Sequence, residues 1–418
     1  MKNRSSFRLL FAAVALLGVS WASRAAEGKL FDSMDDPAQW NLGNSKRKMT
    51  LTKADADGEV GGAIRFDVVE TTFAIAMRIF KPDASWDQYA GVSLRVKGDG
   101  SENWACIRMQ AGGWNKGFVA NFPLKETNWH DVKIPWAEFI PTVASTPALG
   151  TADGYRPSNI NLFSLGKSWN FNTRHKGPKI TFWVDEIKLA GALASTRGRT
   201  PLAKLPRVSE VVRAMKSGKP VAILALGDSI TWGTNVGGNS GAYPHHLGVM
   251  LRERYGNQAI KVVSAAIGGS TTSKGRQWMM RDVKGTQADL VTVMFGYNEK
   301  CTKPEHREAM TKAYVANLVT YIEEVAGLMK KPPAAVFIAT VPGRKTHWET
   351  LDCYDEGVRG IAKKYPNVTV ADANAAFKAM GQPAYAGLMS DEAHPNRAGQ
   401  KEMAKVLFRA ITGEQAQE

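Results

Sequence analysis

The chain has 418 residues, 44% of them hydrophobic and 22% charged, with a formal net charge of +15 at pH 7. That composition excludes a disordered or fibrous protein, and the length suits two domains better than one. Three cysteines, Cys106, Cys301 and Cys353, are too few for a disulfide scaffold.

Residues 1–26 read as a signal peptide. Lys2, Arg4 and Arg8 form a positive start, Leu9 to Val19 is an apolar run, and small residues follow through Ala25 and Ala26. The run is short for a membrane span, so we expect cleavage near Ala25/Ala26, a secreted or periplasmic protein and no transmembrane segment. Cleavage would remove four bases and no acid, taking the net charge from +15 to +11. Such a charge attracts polyanions, acidic polysaccharide among them. No nucleic-acid motif accompanies it and the charges are scattered, so no nucleic-acid partner is expected.

Residues 27–193 read as an all-β sandwich. Short runs such as Gly62-Ala-Ile-Arg-Phe-Asp-Val-Val, Val92-Ser-Leu-Arg-Val-Lys and Ile180-Thr-Phe-Trp-Val-Asp-Glu-Ile-Lys-Leu alternate with Gly, Asp and Asn. Eight of the twelve tryptophans fall here. Trp183, inside a strand, is expected in the core. Trp114 and Trp169 stand in turn-like contexts and are the candidates for stacking on sugar. Residues 194–219 read as a polar, Pro-containing linker ending in a short helix, with Val208, Val211, Val212 and Met215 on one face.

Over residues 220–418 the rhythm changes. Val221-Ala-Ile-Leu-Ala-Leu, Ile260-Lys-Val-Val, Leu290-Val-Thr-Val-Met, Ala335-Val-Phe-Ile-Ala and Val368-Thr-Val are short apolar strands. Helical stretches such as Glu305 to Met329 lie between them. The alternation predicts a parallel sheet covered on both faces, in a three-layer α/β/α arrangement whose chemistry lies beyond the carboxyl ends of the strands.

The chemistry-bearing residues follow those strands. Gly227-Asp-Ser-Ile-Thr places Ser229 just after the first one. A serine hydroxyl is a weak nucleophile and needs a base. In Asp391-Glu-Ala-His394-Pro395 an aspartate three residues before a histidine can bond its Nδ1 and leave Nε2 to take the serine proton.

This segment resembles the SGNH/GDSL hydrolase family over roughly Val221 to Thr412. Four blocks carry the resemblance: Gly-Asp-Ser229-Ile-Thr; Ser264-Ala-Ala-Ile-Gly268-Gly269-Ser-Thr-Thr; Gly296-Tyr-Asn298-Glu299; and Asp391-x-x-His394-Pro395. It implies Ser229 as nucleophile, Asp391 and His394 as its partners, and an oxyanion hole from Ser229, Gly269 and Asn298. Gly268 is the alternative to Gly269. Ser264, Ala266 and Glu299 depart from the family pattern, none at a catalytic position. The N-terminal stretch resembles galactose-binding-like jelly rolls, through Phe31-Asp-Ser-Met-Asp-Asp-Pro, Trp129 to Phe139 and Phe182 to Gly191.

No metal or cofactor is implied, since no His/Cys spacing fits a zinc site and no phosphate loop occurs. Cys301 and Cys353 follow neighbouring strands and are candidates for a disulfide at the site's rim, with Cys106 unpaired. The reading is a secreted serine esterase removing short acyl groups, acetyl first, from polysaccharide or oligosaccharide. The alternatives are a lipase, lysophospholipase or thioesterase on the same scaffold, or a non-catalytic glycan-binding protein. The polar stretch Gly233-Thr-Asn-Val-Gly-Gly-Asn-Ser-Gly-Ala disfavours a trough for long acyl chains.

Overall fold

The structure, a computed structural model, describes residues 28–55, 61–69, 73–169, 179–301, 303–343 and 348–414. The expected signal peptide lies outside them. Among the described residues no helix is long and apolar enough to cross a membrane.

Among the described residues eleven strands build the N-terminal half: β1 Lys29–Asp32, β2 Met49–Asp55, β3 Gly62–Val68, β4 Ala74–Ile79, β5 Gly91–Lys97, β6 Trp104–Gln110, β7 Gly117–Pro123, β8 His130–Pro135, β9 Ile140–Pro141, β10 Leu162–Lys167 and β11 Ile180–Ala190. They pair antiparallel into two sheets. One runs β2-β3-β11-β5-β8, with β1 also on β11; the other runs β4-β10-β6-β7-β9. The alternation in the sequence is the reason. In β5, Val92, Leu94 and Val96 are buried while Ser93, Arg95 and Lys97 face outward. Ile64, Phe66, Phe122 and Phe182 join them in the core between the sheets.

Trp183 corrects the expectation. It is not in that core. The pleat that turns Phe182 and Val184 inward turns Trp183 outward, where the Arg65 guanidinium and the Lys97 ammonium lie 5.3 and 5.4 Å from its ring centroid.

The second half is a parallel sheet of five strands: β12 Val221–Gly227, β13 Ile260–Ser264, β14 Leu290–Met294, β15 Ala334–Ala339 and β16 Thr369–Asp372. Helices cover it: α1 Val208–Lys216, α2 Ser229–Trp232, α3 Tyr243–Tyr255, α4 Thr272–Asp282, α5 Arg307–Leu328, α6 Trp348–Lys364, α7 Ala373–Ala379, α8 Gln382–Ala386 and α9 Arg397–Thr412. Every residue of β14 and β15 is buried, which is why these strands read as continuous apolar runs. The strand order is β13-β12-β14-β15-β16. The chain therefore steps outward on opposite sides of β12, and a crevice opens beyond the carboxyl ends of β12 and β14, the position where doubly wound sheets bind ligands.

The stretch expected as a linker is built into the second half. Leu202, Leu205, Val208, Val211, Val212 and Met215 all lie in the core of the α/β unit. Arg197 and Arg199 reach the buried carboxylate of Glu324 at 3.4 and 3.2 Å, and Arg276 of α4 closes on it at 2.6 Å. Burial pushes the Glu324 carboxyl up, and the three guanidiniums, Arg276 first, more than reverse this. The two halves also touch directly. The Asn121 amide donates to the Gln277 carbonyl at 2.8 Å, and the Asn317 amide to the Ala144 carbonyl at 3.0 Å.

Candidate active site

Ser229 sits where β12 ends. Gly227 makes the turn possible, because a Cβ there would meet Thr231 Oγ1 at 2.2 Å and the Met294 carbonyl oxygen at 2.6 Å. Asp228 caps α2 by accepting the Ile230 N–H at 3.0 Å, so Ser229 is the first residue of the helix, half-buried at the crevice.

His394 and Asp391 come from the loop before α9. Asp391 Oδ1 accepts the N–H groups of Ala393 and His394 at 2.7 and 2.8 Å, which curls the loop back on itself. Asn396 then starts α9 by accepting the Gly399 N–H at 3.0 Å. The curl puts His394 Nδ1 2.8 Å from Asp391 Oδ2 and His394 Nε2 2.9 Å from Ser229 Oγ. Partial burial pushes the Asp391 carboxyl up. The Ala393 N–H and the backbone and ring of His394 outweigh it and hold the group down at about 2. Ser229 and His394, 165 positions apart in the chain, thus form with Asp391 one continuous hydrogen-bonded line.

The loop of Gly268 and Gly269 reaches the end of β12, where the Gly227 carbonyl accepts the Ile267 N–H at 3.0 Å and the Ser270 hydroxyl at 3.3 Å. Gly269 is exposed and takes φ +65°, the left-handed conformation that favours glycine, whereas its neighbour Gly268 is buried. That separates the two glycines: Gly269 is open to solvent and Gly268 is not. The Asn298 amide donates to the Ser270 carbonyl at 3.0 Å and stands 3.3 Å from Asp228 Oδ2. The floor beneath is unusual. Asp228 and Glu299 are buried carboxyls, and burial pushes each up to about 7. Glu299 accepts the Thr272 N–H at 2.8 Å and also takes the Thr272 hydroxyl, tying the loop of Asn298 to the start of α4.

Trp169 reaches the site from the β half. Its indole N–H donates to the Gly268 carbonyl at 2.9 Å, and its own carbonyl accepts the Trp278 indole at 2.9 Å. The Trp114 side chain lies outside the described residues. All three cysteines are thiols, so the Cys301–Cys353 disulfide does not form: Cys301 is buried and its Sγ instead donates to the Lys303 carbonyl at 3.3 Å.

Two residues escaped sequence reasoning. Asn235, exposed and at φ +68°, donates to Asp391 Oδ2 at 2.7 Å from the loop after α2. Gln400, fully buried on α9, accepts the Tyr243 N–H at 2.8 Å and donates to the Ile230 carbonyl at 3.1 Å. It fixes α9, which follows the histidine loop, to the serine-bearing α2 and to the start of α3. A buried glutamine was not visible as such, but asparagine is one of the few residues that accept φ above zero, and Asn235 stands among glycines.

The α/β/α sheet is of the SGNH type, a fold of carboxylic ester hydrolases, and the Ser–His–Asp line lies at its switch point. Residues 225–402 match the GDSL-like lipase/acylhydrolase family. Residues 28–178 match the Complex I intermediate-associated protein 30 family. No curated protein matches the chain. Among solved structures it is similar to an acetylxylan esterase, Axe2, from Geobacillus stearothermophilus, at 23% identity and a TM-score of 0.39 over 47% of this chain and 97% of that one. It is also similar to a lipase/acylhydrolase from Enterococcus faecalis, at 18% identity and 0.38 over 47% and 100%. A two-domain esterase active on acetylated mannans is similar at 20% identity and 0.39 over 53% and 57%.

Proposed function

We propose that the protein is an exported esterase that removes short acyl groups, acetyl first, from polysaccharide. The observation that carries this is the hydrogen-bonded line from Ser229 through His394 to Asp391.

The steps follow from that geometry. Ser229 Oγ attacks the ester carbonyl carbon while His394 Nε2 takes its proton. Asp391 keeps the imidazole Nδ1 protonated and balances the charge that forms. The carbonyl oxygen becomes an oxyanion and meets the Ser229 and Gly269 N–H groups; the Asn298 amide joins them by turning away from Ser270 and Asp228, which take both of its N–H groups in the resting site. His394 then returns the proton to the departing sugar hydroxyl, leaving acyl-Ser229. Water, deprotonated by His394, repeats the attack and releases the carboxylic acid with the serine restored. Asn235 holds the far oxygen of Asp391 and so positions the line without touching substrate.

Two further features support a small acyl group on a sugar. The loop after α2 presents Asn235, Asn239 and Ser240 to solvent, which offers no apolar trough. Trp169 lies beside the oxyanion loop and brings an aromatic surface to the place a sugar ring would occupy.

The test is an acyl-length series of nitrophenyl esters, followed by acetate release from acetylated polysaccharides. Rates should fall steeply beyond short chains, and acetate should appear. Preference for long acyl chains would make the protein a lipase. No hydrolysis of any ester would leave only glycan binding.

A further inference from the structure

The sandwich has an open side. Among the described residues, β8 ends its sheet, and β9 pairs with β7 only at Phe118 and Val119, so the edge of β7 over Asn121–Pro123 stays free. The end of α4 and the connector after β11 come up against that side without filling it. Between them lies a cleft of about 430 Å³, walled by Trp104, Lys133 and Glu138 of the β half, Ala194 of the connector, and Met280 and Lys284 at the far end of α4. Met280 stands eight residues after Thr272, about 12 Å along α4 from the turn tied to Glu299. The cleft is therefore separate from the site of Ser229.

One wall is an aromatic face. Ala105, Ile107 and Met109 point into the core between the sheets, and the same pleat turns Trp104 to the outer face. Trp104 is half-buried, and it makes no hydrogen bond or ring contact with another described residue. Both signs of charge stand near it. One oxygen of Glu138 accepts the Thr196 N–H at 2.7 Å and the Thr196 hydroxyl at 3.0 Å, and the other accepts nothing from a described residue. The Lys133 and Lys284 ammoniums are exposed and form no ion pair among the described residues.

A fatty chain here would take water from Glu138 and the lysines and return no hydrogen bond. An anion would lie against the free oxygen of Glu138, and a cation against the two lysines. A neutral sugar meets neither obstacle, because its C–H face lies on the indole while its hydroxyls both donate and accept. We propose that this cleft binds a stretch of neutral glycan chain, as a second polysaccharide site at the seam of the two halves. Its volume falls within the range of small-ligand sites, roughly 300–1,000 Å³, which suits a few sugar rings and not a folded partner. A polymer held there keeps its acyl groups at high local concentration around the catalytic half. That advantage rests on the esterase reading above; the affinity for glycan does not.

The experiment uses the full chain carrying Ser229→Ala, which turns over no ester, and calorimetry with xylohexaose and mannohexaose as probes. At least one should bind. Adding Trp104→Ala should weaken that binding by roughly tenfold or more, the scale of one lost aromatic contact. Trp104→Phe should restore part of it. The affinity should barely change with salt, since the probes carry no charge. If Trp104→Ala fails to fold, Ala194→Leu, exposed on the connector, crowds the same cleft and should weaken binding likewise. Binding of neither probe, or binding that the folded variants leave unchanged, would overturn the inference. A hexapeptide of alternating valine and threonine tests the other occupant, a strand added along the free edge of β8; its binding with neither glycan bound would also overturn it. With Ser229 intact, Trp104→Ala should leave nitrophenyl acetate hydrolysis unchanged and raise KM on acetylated polysaccharide. An unchanged KM would overturn the part of the cleft in catalysis. If the wild type cleaves no ester at all, the esterase reading falls, and calorimetry still decides the cleft.

Discussion

Replacing Asp391 by asparagine tests the hydrogen-bonded line most directly. Asp391 Oδ1 accepts two backbone N–H groups, from Ala393 and His394, at 2.7 and 2.8 Å. Oδ2 accepts from Asn235 at 2.7 Å and faces His394 Nδ1 at 2.8 Å. A carboxamide has one acceptor oxygen. Two backbone donors fix it at the Oδ1 position, so the new NH₂ lands where Oδ2 was and faces His394 Nδ1. Nδ1 then has the NH₂ as its nearer neighbour, with the retained oxygen 3.0 Å away, so the tautomer with the proton on Nε2 gains, and in it the histidine lacks the lone pair that receives the serine proton. The wrong tautomer in such a triad costs ~10⁴ in kcat, about 5.5 kcal/mol of barrier. The assay is kcat/KM on nitrophenyl acetate for Asp391→Asn beside wild type. Stability supplies a second reading. The Asp391 carboxyl is held at about 2 against its ordinary 3.8. Its contribution is therefore present above pH 4 and lost as pH falls toward 2. The melting-temperature deficit of the variant should close over that window. Activity above a tenth of wild type at neutral pH would refute the tautomer argument.

Ser229→Ala should lower ester hydrolysis by ~10⁴ or more with the melting temperature nearly unchanged; activity within tenfold of wild type would sink the nucleophile. Asp228→Asn should flatten a decline in stability. Burial raises the Asp228 carboxyl from 3.8 to about 7, so the fold gains from its proton at low pH and loses that gain as pH rises from about 4 to 7. The variant should melt with a shallower pH slope in that window, part of the slope remaining because Glu299 behaves alike; an unchanged slope by scanning calorimetry would contradict the assignment. Trp169→Ala removes the donor that holds the Gly268 carbonyl. It should lower kcat on nitrophenyl acetate by roughly tenfold, the scale of one lost buried hydrogen bond; an effect on KM alone would show that the indole only binds sugar.

The sequence exposed the parallel sheet because strands such as Leu290–Met294 are buried on both faces and cannot alternate. It exposed Ser229, Asp391 and His394 because their local turns use residues with few substitutes: a glycine where a Cβ would strike a carbonyl, and an aspartate that closes its own loop. What it hid lies in contacts between distant segments. Nothing near Trp169 announces that its indole will meet Gly268, 99 positions away. The face of Trp183 depends on strand register, and one position decides whether such a side chain faces core or solvent. The stretch 194–219 looked like a linker because its charged residues suggest solvent. Arg197 in fact spends its charge on the buried Glu324, which no local pattern reveals.

On the polysaccharide substrate proposed above, that carboxylate, gripped by Arg197, Arg199 and Arg276, would set how the enzyme travels along the polymer. A carbohydrate-binding module on a slack tether lets its catalytic partner swing over many positions from one point of attachment. Here the connector is clamped, so the β half and Ser229 keep a set distance and angle. Each docking event then presents one ester, and the next requires the whole protein to let go and land again. Release of acyl groups from a long chain should be distributive, with single scattered losses preceding any fully stripped stretch.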